Sequence, residues 1–181
     1  DSDKQEQLKQ MGAKDSKLVS PIKRRELFQK FEKLDDNVVS VLSAADLTDL
    51  MAKRVSLNEI EAQIAAALIK QLAERNEVEK AIIDSPDPIP SKFEKRIRKY
   101  YSPAFPIICE NKADYNYPVV GAASILAKET RELHIEKLNK MLGIDFGSGY
   151  SSDEKTIAFL KTHFNDAILQ PHLRHRWETM K

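Results

Sequence analysis

The chain has 181 residues with 29 lysines and arginines against 28 aspartates and glutamates, enough for one domain whose core needs no staples, and too balanced in charge for a global positive field. Any nucleic-acid binding must therefore come from a local patch. The single cysteine, Cys109, excludes an internal disulfide framework and predicts a reducing, cytoplasmic setting, while the absence of an apolar run near ~18 residues and the polar, acidic start DSDKQEQLKQ lead to the expectation of a soluble, unprocessed protein.

In chain order, the first predicted helix follows Ser20, with Pro21 at its first position and Leu27, Phe28, Phe31 and Leu34 facing inward. NVVSVL from Asn37 reads as a strand. Ser43 with Asp46 three residues later opens a second helix. Ser56 and Glu59 have capping-box spacing for a third, with Val55 placed to staple onto Ile60. Leu57, Ile60, Ile64, Leu68 and Leu72 recur every three or four residues there and predict its buried stripe, leaving Glu59, Glu61, Lys70 and Glu74 on a solvated face.

EKAIID, ending at Asp84, and FPIIC, from Phe105, are short β-branched-rich runs of the kind buried in a sheet. Between them a basic helix is expected from Pro90 to Tyr101. A long helix should run from about Tyr117 to Leu142, and a last one follows YSSDEKTIAFL, capped near Ser152 or Asp153. Alternation of strand and helix predicts an α/β fold. Three strands make a narrow sheet for so many helices, and neither linkers nor repeats are evident.

Two carboxylates stand at informative places. Asp84 ends an apolar run just before SPDPIP, a segment that its prolines force out of regular structure, and strand carboxyl ends are where open α/β sheets bind ligands. The bland alternative is a strand-ending turn residue. Asp114 follows the FPIIC strand and precedes a helix, where a positive helix end and Lys112 favour its ionised form; a plain cap explains it equally well. Two carboxylates closing two strand-to-helix connections suit a divalent-cation site, although such a pair alone is a weak signal.

Gly143, Gly147 and Gly149 crowd one short loop from which Tyr150 emerges. Such a loop, leading into a helix, offers backbone N–H groups to an anion or sugar, or it is simply a flexible turn. Lys92, Lys95, Arg96, Arg98 and Lys99 before Tyr100 and Tyr101, and PHLRHRWETMK from Pro171, mix cations with aromatics as phosphate-backbone binders do, though a solvated helix face is the commoner cause. His134, His163, His172 and His175 show no zinc spacing with Cys109, and no nucleophile constellation is visible.

AIIDSPD, ENKADYNYPVVGAASILAKETRE and DFGSGYSSDEKTIAFLK occur in the order, spacing and wording of ribonuclease HII, and the chain resembles an archaeal member of that family. GAKDSKLVSPIKRRELF resembles the family's Asp-Ser-Lys segment, and WETMK its carboxyl-terminal Trp-containing stretch. The resemblance implies an RNase-H-like mixed sheet flanked by helices, with residues 1–145 as catalytic core and 146–181 as substrate-reading loop and helical tail of the same domain. It implies cleavage of the RNA strand of RNA/DNA hybrids, and at ribonucleotides embedded in duplex DNA, giving 3′-hydroxyl and 5′-phosphate ends. Two Mg²⁺ or Mn²⁺ ions held by four carboxylates would do this, one helping to activate water and the other stabilising the leaving oxygen.

By the same resemblance, Asp84 matches the third carboxylate and Asp114 the fourth. Tyr150 matches the tyrosine that stacks on the sugar at the RNA-to-DNA junction, with Ser148 and Gly149 beside it. Lys128, Ser16 and Lys17 match positions near substrate phosphates, and Lys112 a second contact of that kind. The implied partners are hybrid and ribonucleotide-containing duplexes bound by a monomer, with no membrane; a sliding-clamp partner belongs to the same expectation, although no clamp-binding peptide is evident.

Departures qualify these expectations. The family's Asp-Glu-Ala-Gly-Arg-Gly strand, source of its first two metal ligands, has no counterpart, so the first hairpin of the sheet is expected to be missing and the sequence, which does not begin with methionine, to be partial. Gly121 stands where a serine is usual, and Ser151-Ser152-Asp153-Glu154 lacks the usual flanking prolines; both are expected to perturb loops. The alternative reading is an inactive fragment or relic that binds nucleic acid without cutting, and a third is a plain helical interaction domain.

Overall fold

A computed structural model describes residues 2–13, 19–34 and 37–176. The elements are α1 (Ser2–Met11), α2 (Pro21–Phe31), α3 (Ala44–Ala52), α4 (Leu57–Ala73), β1 (Ala81–Asp84), α5 (Pro90–Tyr100), β2 (Ile107–Glu110), α6 (Ala113–Asn116), α7 (Pro118–Leu142) and α8 (Glu154–His163), followed by a 3-10 turn at Gln170–His172. They fall into two compact units: one gathers Asp1–Ser40 with Leu57–Glu129, the other Val41–Ser56 with Thr130–Lys181.

In the first unit β1 and β2 pair in parallel, Ala81 opposite Ile107 through Asp84 opposite Glu110. A parallel pair needs a crossover, and α5 supplies it. Ala62, Ala66 and Ile69 of α4, Phe93 and Ile97 of α5 and Ile107 of β2 form the core, with Ile83 and Cys109 packed around it. Each large apolar side chain buried this way stabilises the fold by about 1.5–3 kcal/mol.

The inner face of α4 lies only partly where the sequence puts it, since Ile60 alone of the expected stripe is fully buried. Leu57, Ile64, Leu68 and Leu72 are only half-buried, whereas Ala62 and Ala66 are sealed. At about 100° per residue the alanines lie roughly half a turn from that stripe. Small side chains let α5 and the sheet come close, so the tightest packing forms where the residues are smallest. Glu59 and Glu61 are half-buried rather than fully solvated: Glu59 bonds to Arg96 and Tyr100, and burial, then the charge of Asp87, raises the Glu61 carboxyl above its ordinary value.

NVVSVL forms no strand; residues 37–43 are irregular. Asn37 instead donates its side-chain amide to the carbonyls of Phe31, Glu32 and Leu34 at 2.5–3.1 Å, satisfying the end of α2, whose last carbonyls lack helical partners. Val39 and Val41 stay exposed, as does Leu34, which was expected to face inward. Leu27, Phe28 and Phe31 are buried as expected.

The second unit is helical. Ser43 caps α3 by accepting the Asp46 N–H, and Asp153 caps α8 by accepting that of Lys155. Phe159 of α8 packs on Phe146, with ring centroids 5.5 Å apart, and stacks on His163 at 4.4 Å. Thr48 of α3 reaches the Leu173 carbonyl at 3.5 Å. No helix among the described residues is long and apolar enough to cross a membrane.

Candidate functional site

The carboxyl ends of β1 and β2 are tied together by the residues that leave them. Ser85 N–H donates to the Glu110 carbonyl at 2.8 Å. Asn111 donates its amide to the carbonyls of Ser85 and Asp87 at 3.1 and 2.9 Å, and the Ser85 hydroxyl reaches the Asp87 carbonyl. The Asp87 carboxylate accepts from Asn58 at 2.8 Å and from Arg96 Nε at 3.2 Å. The proline-rich segment after Asp84 is thus held at Ser85 and Asp87, and Asp87, buried at 7 % exposure, is a structural acid that sequence reasoning passed over.

Asp84 and Asp114 come out of this arrangement as neighbours along the backbone of the site. Asp84 Oδ1 accepts the N–H of Ala113 at 3.0 Å, the residue just before Asp114. Asp84 is exposed and Asp114 buried. Asp114 sits in α6, a four-residue helix of its own ahead of α7, rather than at the start of the long helix. Its far side is fixed by Tyr117, whose hydroxyl donates to Glu110 Oε1 at 2.7 Å; that bond, with burial, raises the Tyr117 hydroxyl's pKa. Lys112, which enters α6, has φ +60°, a left-handed conformation that a lysine adopts only under constraint.

Two carboxylates from separate strand ends, one of them with an oxygen free of the Ala113 bond, suit part of a hard-cation site built of oxygen ligands. Among the described residues no group of three or more His, Cys, Asp or Glu is placed to hold a metal. Burial pushes the Cys109 thiol up to about 11.

The glycine loop lies in the second unit, and its N–H groups are already used. Gly147 N–H donates to Asp145, Ser148 N–H and hydroxyl donate to Asp153 Oδ2 at 2.6 and 2.7 Å, and Gly149 N–H donates to Thr156 Oγ1 at 3.0 Å. The expectation of free backbone donors for a ligand is therefore corrected: the loop turns them inward to cap α8. Gly147 and Gly149 have φ +90° and +70°, and a Cβ on Gly149 would lie 2.9 Å from Ile135 Cδ1. The Ser148 bonds hold the Asp153 carboxyl down to about 2.

What this loop presents outward is Tyr150, 38 % exposed. Arg131 of α7 lays its guanidinium over the ring, 3.7 Å from the centroid, and is fixed by donating to the Ser148 carbonyl at 3.1 Å and by pairing with Glu132 at 3.3 Å. A planar cation stacked on the ring fixes its orientation. Sequence reading missed Arg131, although its place in the AKETRE run was a usable signal.

Lys128 is half-buried in α7 and Lys112 exposed; Ser16 and Lys17 lie outside the described residues. Gly121 is buried inside α7, not in a loop. The next residue after Lys128, Glu129, is buried and meets Arg24 at 2.5 Å and Arg25 at 3.6 Å, joining α2 to α7.

The sequence profile described as Ribonuclease HII matches residues 1–180. The chain belongs to the ribonuclease HII family. It is 39% identical over 170 residues to ribonuclease HII of Nanoarchaeum equitans, covering 94% of this chain and 80% of that one. The crystal structure of ribonuclease H2 from Pyrococcus horikoshii superposes with a TM-score of 0.85 at 35% identity, over 99% of this chain and 83% of the other. A PCNA:RNase HII complex from Archaeoglobus fulgidus gives 0.84 at 36%, over 96% and 82%. The fold is thus RNase-H-like, of which the described sheet holds the parallel pair, and the chain is a hydrolase of the endonuclease class with ribonuclease H activity.

Proposed function

We propose that this ribonuclease HII chain cleaves the RNA strand of RNA/DNA hybrids, and at ribonucleotides embedded in duplex DNA, by two-metal-ion hydrolysis that leaves 3′-hydroxyl and 5′-phosphate ends. The observation that supports the reading is the hydrogen bond donated by the Ala113 N–H to Asp84 Oδ1, which ties the end of β1 to the residue before Asp114. Asp84 and Asp114 would hold Mg²⁺ or Mn²⁺, which supply water activation and leaving-oxygen stabilisation. Asn111, Ser85 and Tyr117 keep the two strand ends in register. Tyr150, 38% exposed, stacks on the sugar at the RNA-to-DNA junction, with Ser148 and Gly149 shaping the loop behind it. Lys112 and Lys128 contact substrate phosphates, as do Ser16 and Lys17. The chain acts as a cytoplasmic monomer, and the Archaeoglobus complex supports a sliding clamp as its protein partner.

The test is cleavage of a DNA duplex bearing one ribonucleotide, with Mg²⁺ and then Mn²⁺, by this chain and by Asp114→Asn, each also extended by the family's Asp-Glu-Ala-Gly-Arg-Gly strand. Extended Asp114→Asn should bind hybrid but not cut it; full activity would remove Asp114 from the chemistry. A second reading, binding without cutting, is favoured by the lack of a three-ligand cluster among the described residues. Hybrid affinity that is steeply salt-dependent yet indifferent to Mg²⁺, with no product, would establish it.

A further inference from the structure

Lys92, Lys95, Arg96 and Lys99 of α5 are spaced by three, one and three residues, so all four lie on one strip of the helix, and together they line one shallow groove. The opposite side of α5 is anchored by Phe93 and Ile97, 2% and 0% exposed. Arg96 is held by Glu59 at 2.7 Å and Asp87 at 3.2 Å, and Lys99 stands 3.6 Å from Glu59. Lys92 and Lys95 are exposed and have no ion pair among the described residues.

The strip gathers four cations at helical spacing; a lesser case is Lys137 and Lys140 of α7, exposed and three residues apart. Lys9, Lys23 and Lys70 each pair with a glutamate three or four residues away, and so does Arg98 within α5 itself. On the strip, those same separations bring cation to cation: Lys92 to Lys95 and Arg96, Lys95 to Lys99, Arg96 to Lys99. Like charges so placed destabilise a helix, which a face meant only for water has no reason to keep. A polyanion reverses the sign of the effect.

We propose that this strip of α5 is a docking surface for the sugar-phosphate backbone of a nucleic-acid duplex, held by charge without reading sequence. The strip is about 10 Å long at 1.5 Å per residue, three base-pair rises of about 3.4 Å. Tyr100, next to the strip, is held by its hydroxyl, which donates to Glu59 at 2.6 Å and accepts from Gln63 at 3.1 Å. The surface deepens the functional reading above and rests on it to the extent that the chain binds duplex.

The experiment is anisotropy titration of a labelled RNA/DNA hybrid, at a series of salt concentrations, with the full chain and with Lys92→Glu/Lys95→Glu and Lys95→Glu variants. Poly-glutamate of equal charge serves as the competing polyanion. The double variant should bind hybrid at least tenfold more weakly at low salt, and the slope of log affinity against log salt should fall by about 2, one for each lysine that no longer neutralises a phosphate. Lys95→Glu should melt no lower than the parent, since its new carboxylate gains Lys92, Arg98 and Lys99 as neighbours of opposite sign. Stability kept while affinity falls is what a purely structural role cannot produce. An unchanged slope in the double variant, with the parent binding normally, overturns the surface and leaves the functional reading standing. No hybrid binding by the parent overturns both, and binding of poly-glutamate in preference to hybrid assigns the strip to an acidic protein instead.

Discussion

Asp153 shows how much one side chain organises in the second unit. It accepts from the Ser148 N–H and hydroxyl and from the Lys155 N–H, and these bonds hold its carboxyl near 2. A carboxyl depressed in the folded state adds stability that is fully present above its ordinary value near 4 and is lost as pH falls through about 2. Proton NMR of the Tyr150 ring should therefore report loosening of the loop between about pH 4 and 2, and Asp153→Asn should be loose already at neutral pH, without that titration. Arg131 invites a double-mutant cycle. Arg131→Met should weaken hybrid binding, and should weaken it little further once Tyr150→Ala is present, because the guanidinium acts through the ring; additive losses would mean that Arg131 contacts the substrate by itself. Asp84, Asp114 and Tyr150 stood out as candidates because they sit at punctuation in the sequence, while the roles expected of them came from the family resemblance. Asn111, Asp87 and Arg131, which position them, were not, since each works through partners such as Ser85, Asn58 and Ser148 that spacing does not reveal.

At the scale of elements, capping chemistry was the readable part. Ser20, Ser43 and Asp153 each accept a backbone N–H at the helix start where sequence placed them. The stripe of α4 was misread, except at Ile60, because leucine and isoleucine were weighted above alanine, and the Asn37 strand because an apolar β-branched run says nothing about whether a partner strand exists. The α2–α7 contact was wholly illegible: Arg24 and Glu129 are 105 residues apart. Glu129→Ala leaves Arg24, 11% exposed, without its carboxylate, and should cost about 3 kcal/mol in urea unfolding, the scale for breaking a buried pair from one side. Phe93→Ala, which empties the core under α5, should cost about 3–5 kcal/mol by the same measurement.

For the whole molecule, the two units make a divisible prediction. Hydrogen exchange on Asp153→Asn should show faster exchange at the amides of Ser148, Gly149 and α8 while those of β1 and β2 keep their protection, because stability is apportioned by local contacts. Uniform acceleration throughout the chain would show that the units open as one. The α/β class was legible from the strand–helix alternation, and family membership from the long matching segments. The division of the chain was not, because Val41–Ser56 joins a unit whose other residues begin at Thr130.

The Asp84 to Ala113 hydrogen bond closes 29 residues of chain, and that length sets an order of assembly. Capped helices such as α3 and α8 need only neighbouring residues and can form within microseconds. A parallel strand pair must first bear the entropy of closing its crossover before any of its bonds compensate. The juncture of Asp84 with the residue before Asp114 therefore does not exist on a partly folded chain, however complete its helices are, and protection of the Ala113 amide from exchange should appear only with the last and slowest phase of refolding.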